Sequence, residues 1–537
     1  MEENNIKTHS LKAQSAWLLF AKLIGFVFSF LLPLLIVRFL TQEQVGVYRQ
    51  VFLIIVNANA ILPLSFGISV YYFLSRETEE RRGAAVFNTL LFNFVVGGVA
   101  CFALYFYPQI LGNIFQSDEM TRLAPKIGVV IWLWIFSTFL ENVAVANREP
   151  KMATAFIILA QFTKTALLLL AVVIFATVES FIYAAMLQAL IQSIILLIYL
   201  QSRFPKFWLQ FDFGFFRQQL FYALPFGLAG LLWTLQTDIH NYFVGYRFSE
   251  ADYAIYSTGC FELPLIGMLA ESVTSVMIPR MSELEARHDK SEMIRLSVRI
   301  MQKLAFFYFP IYVFLMITAT TFISTLFTAN YLGSVPIFLI NLTLLPFYIW
   351  VNDPIVRAYK ELGRFLLISR VFILIALVAA LYFGIRHFDL RGMIAIVIAA
   401  ALIDKFVSTA LVLKKLNVKK QDAGLLKDVG KTAVASLIAG GATFLFYNQL
   451  GDSIAVWGVS LTQAIFANPK QSVTNFFAGC LVLGFSALIF APIYLFAMNR
   501  FGIIEEDEKQ KLKSVFNRLS SVFKRFTIQN PKSETQN

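Results

Sequence analysis

Runs of roughly 20 apolar residues recur along almost the whole chain, with short polar connections between them. Each run is long enough to cross a hydrocarbon layer about 30 Å thick as a helix and too long to be a buried strand. The pattern predicts spanning helices at roughly 16–37, 47–73, 84–108, 123–145, 152–176, 180–201, 217–244, 252–279, 300–326, 334–352, 364–385, 392–413, 430–450 and 475–498. That is fourteen, and an even number puts both termini on one side. The first run continues past Pro33 to Arg38, too long for the core of a cleaved signal, so it counts as a spanning helix. Beyond 498 the pattern changes. Val515, Phe516, Leu519, Val522, Phe523 and Phe526 fall at helical spacing among Lys511, Lys513, Arg518, Lys524 and Arg525. This reads as an amphipathic basic helix, on the inner leaflet or packed against cytoplasmic loops.

The pattern also repeats. RFLTQEQVGVY, Arg38 to Tyr48, returns about 208 residues later as RFSEADYAIY, Arg247 to Tyr256. Ser75 and Arg76, with the charged run behind them, return near Ser282 and Glu283; the turn at 147–151 returns loosely at Leu362, Gly363 and Arg364. The expected division is an N-lobe of six helices over 1–201, a cytoplasmic linker over 202–216 and a C-lobe of six helices over 217–414. An extra helix pair follows over 415–498, then a cytoplasmic tail over 499–537. With six helices each, both copies enter the membrane in the same direction and are expected to be related by a pseudo-twofold along its normal. Many secondary transporters are built from such duplicated blocks, with a substrate path between the copies.

Composition narrows the class. The 537 residues are 58% hydrophobic and 15% charged, with mean hydropathy +0.68, which excludes a water-soluble domain of this size. The formal net charge is +12. Counting alternate loops from a cytoplasmic N-terminus gives about 33 basic residues inside and about 7 outside, so the charge follows topology. Acidic lipid headgroups at the cytoplasmic face explain it better than nucleic acid does. Cys101, Cys260 and Cys480 lie in apolar runs and the four histidines form no paired motif, so no disulfide, metal site or cofactor is expected.

The order of local patterns carries a resemblance. Arg38-Phe39-Leu40, Gly46-Val47-Tyr48 and Ser65-Phe66-Gly67-Ile68 are followed by a charged loop. In the second copy stand Asp238, Asp252-Tyr253-Ala254-Ile255-Tyr256, Ile278-Pro279-Arg280-Met281-Ser282 and Leu362-Gly363-Arg364. Over roughly 12–500 this resembles the polysaccharide transporter family of the multidrug/oligosaccharidyl-lipid/polysaccharide exporter superfamily. The resemblance implies two six-helix lobes around a central cavity, alternating access and passage of a polyprenyl-pyrophosphate-linked sugar in lipopolysaccharide, capsule or exopolysaccharide synthesis. Lipid II flippases of the superfamily likewise have fourteen helices, and its multidrug branch usually twelve.

Ionisable side chains inside spanning helices need a cavity, a partner or an escape to the interface. At 1.5 Å per residue, Lys164 and Asp404 lie about 18 Å from the nearest predicted helix end, and Glu262 about 15 Å. Lys405 adjoins Asp404. A Lys164–Glu262 ion pair is the plain structural alternative for two of these. Lys22, Arg49, Glu141, Asp238, Glu271 and Arg370 are shallower, and Lys22 and Arg370 are within reach of the inner interface by snorkelling. The first lobe is mainly cationic here and the second mainly acidic. The expected division of labour gives the substrate pyrophosphate to cations, Lys164, Lys22, Arg49, Lys405 and Arg370. The coupling proton or sodium goes to carboxylates, Asp238, Glu262, Asp404, Glu271 and Glu141. The resemblance adds weight to Asp238, since relatives use a second-lobe carboxylate for ion coupling. It also implies a strongly cationic lumen, whereas the intramembrane charges here nearly balance.

Two motifs mimic other chemistry. Gly430-Lys431-Thr432 looks like the end of a phosphate-binding loop, but the first glycine falls one position early and no strand precedes it. Asn341-Leu342-Thr343 has the glycosylation pattern inside a predicted span. The leading expectation is a monomeric, non-enzymatic flippase or antiporter of the inner membrane. The runner-up is a multidrug or organic-cation exporter. A membrane glycan polymerase or ligase is more distant, because it needs a sizeable outer loop. The longest outer connection, about 451–474, carries only Asp452 and Lys470 as charges.

Overall fold

The computed structural model describes residues 32–466 and 469–503, and every regular element among them is helical. Residues 32–39 form a helical stretch. There follow α1 (Gln42–Ile61), α2 (Phe66–Phe73), α3 (Glu79–Phe106), α4 (Gln109–Phe115), α5 (Asp118–Ser137), α6 (Phe139–Ala146), α7 (Pro150–Ile174) and α8 (Val178–Arg203). After a short 3-10 turn come α9 (Phe213–Arg247), α10 (Glu250–Gly259), α11 (Pro264–Ala286) and α12 (Lys290–Phe327). Two 3-10 segments, Ala329–Ser334 and Leu345–Ile349, flank α13 (Val335–Leu342). The chain continues through α14 (Asp353–Ala358), α15 (Lys360–Gly384), α16 (Leu390–Leu416), a 3-10 segment Lys420–Leu426, α17 (Lys427–Ile465) and α18 (Gln471–Arg500).

Local chemistry fixes the helix starts. Thr41 opens α1 with a capping box closed by Gln44. Ser249 opens α10, at the repeat spacing from Thr41, by accepting from the Asp252 backbone N–H. Ser117, Thr177, Asp212, Asp289 and Asp389 cap α5, α8, α9, α12 and α16 in the same way. Two prolines mark breaks. Pro63 lies between α1 and α2, where Leu64 and Ser65 take φ of 48° and 55°. Pro264 begins α11 after α10 has ended, and those two helices bend by 49°. Pro225 and Pro310 sit inside α9 and α12 without ending them, as a bundle permits.

Twelve spans among the described residues are long and apolar enough to cross a membrane, or thirteen with the bent α10–α11 pair counted as one. This is a multi-pass membrane protein. Phe102, Val173, Phe372 and Phe496 are all at least 66% exposed, which suits acyl chains and not water. The predicted segment 16–37 falls largely outside the described residues, and the basic helix predicted from Leu512 falls wholly outside them. Three expectations are corrected. The segment 252–279 is two helices, because Pro264 supplies no N–H to continue the first. Segment 334–352 stands as an apolar span, Ala329–Ile349, but is built of short α and 3-10 pieces instead of one helix. The outer connection 451–474 is mostly helix, because α17 runs on to Ile465. At 39 residues α17 is about 58 Å long, well beyond the hydrocarbon thickness.

Packing falls into two sets. In α1–α8, Ile55, Ile127, Ile131 and Ile182 form one core, and Val70, Phe139, Val143 and Leu200 another. In α9–α16, Tyr253, Tyr256, Leu381 and Ile394 pack together. A further core crosses between the sets, joining Ile36, Val45 and Phe181 to Ala254, Tyr308 and Phe327. The junction is made by α9 and α10 lying against α1 and α2. Helices α17 and α18 pair with each other and lie on α12, with Ala435, Phe490 and Tyr494 against Phe306 and Val313.

Candidate functional site

The two copies of the repeated motif meet face to face. Arg49 on α1 donates to the Ser257 hydroxyl on α10 at 2.7 Å, and these residues are 208 apart, the repeat spacing itself. Gly46 lets the helices come this close. A Cβ there would lie 2.6 Å from the Glu250 carbonyl carbon and 3.0 Å from its Cα. Arg38 closes the other side of the junction. Its guanidinium donates to the Thr325 and Leu326 carbonyls at 2.7 and 2.8 Å and to that of Leu34, and lies 5.2 Å from the Phe476 ring centre.

Two cavities adjoin this junction. The first, about 440 Å³, lies along the seam between α1 and α9–α10 and is lined by Tyr48, Arg49, Asn57, Asp238, Asn241 and Ser257 among others. The second, about 400 Å³, lies among α9, α13 and α16 and the α10–α11 break; Asp238, Asn241, Glu262, Tyr348, Asp404 and Lys405 face it. Asp238, Asn241 and Cys260 belong to both walls. The Asn57 amide, from α1, donates to the Tyr242 hydroxyl on α9 at 3.1 Å, which ties the two helices across the seam beside Asp238. Behind it, His240 Nδ1 and the Tyr256 hydroxyl share a buried hydrogen bond of 2.8 Å.

The second cavity is a mixed-charge site. Arg370 on α15 reaches Asp404 on α16 at 3.3 and 3.5 Å, with the two side chains 26% and 14% exposed. Its guanidinium also lies 5.9 Å from the Trp233 ring centre. The Lys405 ammonium lies 5.4 Å from the Tyr348 ring centre. Arg370, within snorkelling reach of the interface by sequence, instead pairs with Asp404, because α15 and α16 pack side by side.

Six of the ten sequence candidates gather here. Asp238, Glu262, Asp404 and Lys405 line the second cavity, Arg370 holds Asp404, and Arg49 lines the first. The suggested Lys164–Glu262 pair is absent among the described residues. Lys164, on α7, is half-buried 5.0 Å from the Trp134 ring centre, and the α10–α11 break places Glu262 toward α16 instead. Glu141 and Glu271 are exposed and line neither cavity. Lys22 lies outside the described residues. The search for charges missed the uncharged lining, Asn57, Asn241, Tyr348 and Trp233. The two amides carried a usable signal, because polar groups within apolar runs tend to face cavities or partners. The mimic Gly430-Lys431-Thr432 is ordinary helix: Lys431 pairs with Asp428 at 2.7 Å, and the Thr432 hydroxyl bonds the Asp428 carbonyl.

A family model described as "Polysaccharide biosynthesis protein" matches residues 35–336, more than half of the chain. The chain belongs to this polysaccharide biosynthesis family. No curated protein matches it. Among solved structures it is similar to the lipid II flippase MurJ in an inward closed conformation, with TM-score 0.65 and 16% identity over 90% of this chain and 98% of that one. It is also similar to an inward-facing multidrug resistance transporter of the MATE family, with TM-score 0.58 and 15% identity over 75% and 96%. A MOP superfamily transporter from Pyrococcus furiosus follows, with TM-score 0.53 and 15% identity over 75% and 95%. At these identities the likeness establishes the fold alone, a polytopic helical architecture shared with these structures.

Proposed function

We propose that this chain is a secondary transporter that flips polyprenyl-pyrophosphate-linked oligosaccharide across the cytoplasmic membrane by alternating access, coupled to a proton or sodium gradient. The observation that carries this reading is the shared wall of the two cavities. Asp238 and Asn241 face both of them, at the place where the two repeat copies touch. A group that borders both the seam and a charged side chamber can couple occupancy of one to the state of the other. The family description and the MurJ-like fold support the substrate class. In this reading the two halves rock about the seam, with both termini and the basic loops on the cytoplasmic side and the protein working as a carrier, not an enzyme.

The residues take these parts. Arg49 meets the pyrophosphate in the seam cavity, with Lys164, Lys22, Lys405 and Arg370 as further cations along the path. Asp238, Glu262 and Asp404 hold the coupling ion, with Glu271 and Glu141 in outlying positions. A charge-assisted contact from Arg49 to phosphate suits its fork of donors better than a lone lysine would. The test is deletion of the gene. Surface polysaccharide should disappear and its lipid-linked precursor accumulate, both restored by the wild-type chain but not by Asp238→Asn. Normal surface polysaccharide after deletion, with no precursor build-up, would refute the proposal.

A second reading, an organic-cation exporter, is favoured by the three carboxylates against two cations around the second cavity. It predicts drug sensitivity on deletion with surface polysaccharide intact.

A further inference from the structure

A third cavity lies away from the seam, where α12, α17 and α18 come together at the end of α12 remote from its basic start. Its volume is about 460 Å³, within the range of small-molecule sites. Half of its lining is polar, including Thr321, Ser324, Asn448 and Asn475, and Asp452 is its one carboxylate. Gly451, Ala478 and Gly479 line it with almost no side chain. The Tyr447 and Thr321 hydroxyls bond each other at 2.6 Å. Thr325 is 2% exposed, and its hydroxyl packs against Gly479 without a hydrogen-bond partner in the structure.

Its position is set by the length of α17. Tyr447 and Asp452 stand 20 and 25 residues beyond Lys427, about 30 and 37 Å along the helix. The cavity thus sits at the membrane boundary opposite the basic loops. Asp452 disfavours an anion there, and the apolar half of the lining, including Ala329, Leu332, Val459 and Val482, suits the carbon face of a sugar ring. Hydroxyls, amides and a tyrosine edge around a floor of small residues are what a neutral saccharide recognises.

We infer that this cavity is a binding site for a neutral sugar chain on the outer face, separate from the seam. Its wall is joined to the seam, because Arg38 holds the Thr325 and Leu326 carbonyls and lies over Phe476, the neighbour of Asn475. A saccharide lodged there presses on the same helix end that Arg38 ties to the repeat motif. The site deepens the flippase reading by giving the arriving glycan a place to rest, and its test does not depend on that reading.

The test is saturation-transfer NMR on the full chain in nanodiscs, with maltotetraose, cellotetraose and chitotetraose as probes. Transfer to at least one probe is expected. It should fall about tenfold in the rim variant Asn448→Leu/Asp452→Leu and several-fold in Tyr447→Phe, which keeps the shape and removes one hydroxyl. Arg122→Gln, exposed on α5 and lining none of the three cavities, should leave it unchanged. Transfer to none of the probes overturns the inference, as does equal transfer in wild type and rim variant. Native mass spectrometry supplies the competing outcome. A phospholipid lost from the rim variant, with no saccharide transfer in wild type, makes this a lipid site and also overturns the inference. Loss of surface polysaccharide on deletion is read separately, so either proposal can fail alone.

Discussion

Replacing Gly46 with leucine tests the contact between the repeat copies. The new Cβ would lie 2.6 Å from the Glu250 carbonyl carbon, backbone that cannot swing aside. Restoring ordinary contact requires α1 and α10 to part by about 1 Å, on top of the room needed by the rest of the side chain. The Arg49–Ser257 bond, 2.7 Å long, then stretches to about 3.7 Å and is lost. Overpacking costs about 1–3 kcal/mol and a hydrogen bond to a charged group about 1.5–3 kcal/mol. Allowing for side-chain adjustment, the touching state weakens by roughly 2–4 kcal/mol, or about 30- to 700-fold in population. The assay is electron–electron distance measurement between nitroxides at Glu43→Cys and Asn330→Cys, on exposed positions beside the junction. Wild type should give one short distance population. Gly46→Leu should add a dominant longer one, and Gly46→Ala a minor one, with transport slowed in the same order. An unchanged distance distribution in a folded Gly46→Leu protein would refute the reasoning.

Arg370→Gln should lower stability by about 1–3 kcal/mol by leaving the Asp404 carboxylate alone, and adding Asp404→Asn should recover most of that loss; melting of the purified single and double variants checks it. Thr41→Ala and Ser249→Ala should each cost about 1 kcal/mol, nearly additively, because each removes one helix cap. Tyr256→Phe removes the bond to His240 and should cost about 1 kcal/mol in the same melting assay. Lys164→Ala should slow flipping in proteoliposomes if this cation lies on the substrate path, and an unchanged rate removes it from the site.

Much of the fold was legible because its causes are local. Apolar run length predicted the spans, but the helices read from about 47 and 252 start at Gln42 and Glu250, because Thr41 and Ser249 cap polar first turns that hydropathy does not register. Pro63 and Pro264 interrupt helices whereas Pro225 and Pro310 are accommodated within long ones, a difference set by neighbouring helices and not by the proline itself. The end of α17 was misjudged because residues 451–465 follow a run already long enough to span, and hydropathy does not mark where a helix stops.

The sequence alone determined a duplicated, all-helical membrane protein, and it named the intramembrane charges worth following. Only the tertiary structure decided which of them meet. It brought Asp238 beside Asn57 at the seam, paired Arg370 with Asp404, turned Lys164 toward Trp134 and hollowed a polar cavity at Asn448. The physical reason lies in the solvent. Lipid tails are as apolar as the helix faces, so hydrophobicity inserts helices without choosing their neighbours. Register and partners come from close approach at small residues such as Gly46 and from polar groups that must find one another, and both depend on residues about 200 positions apart.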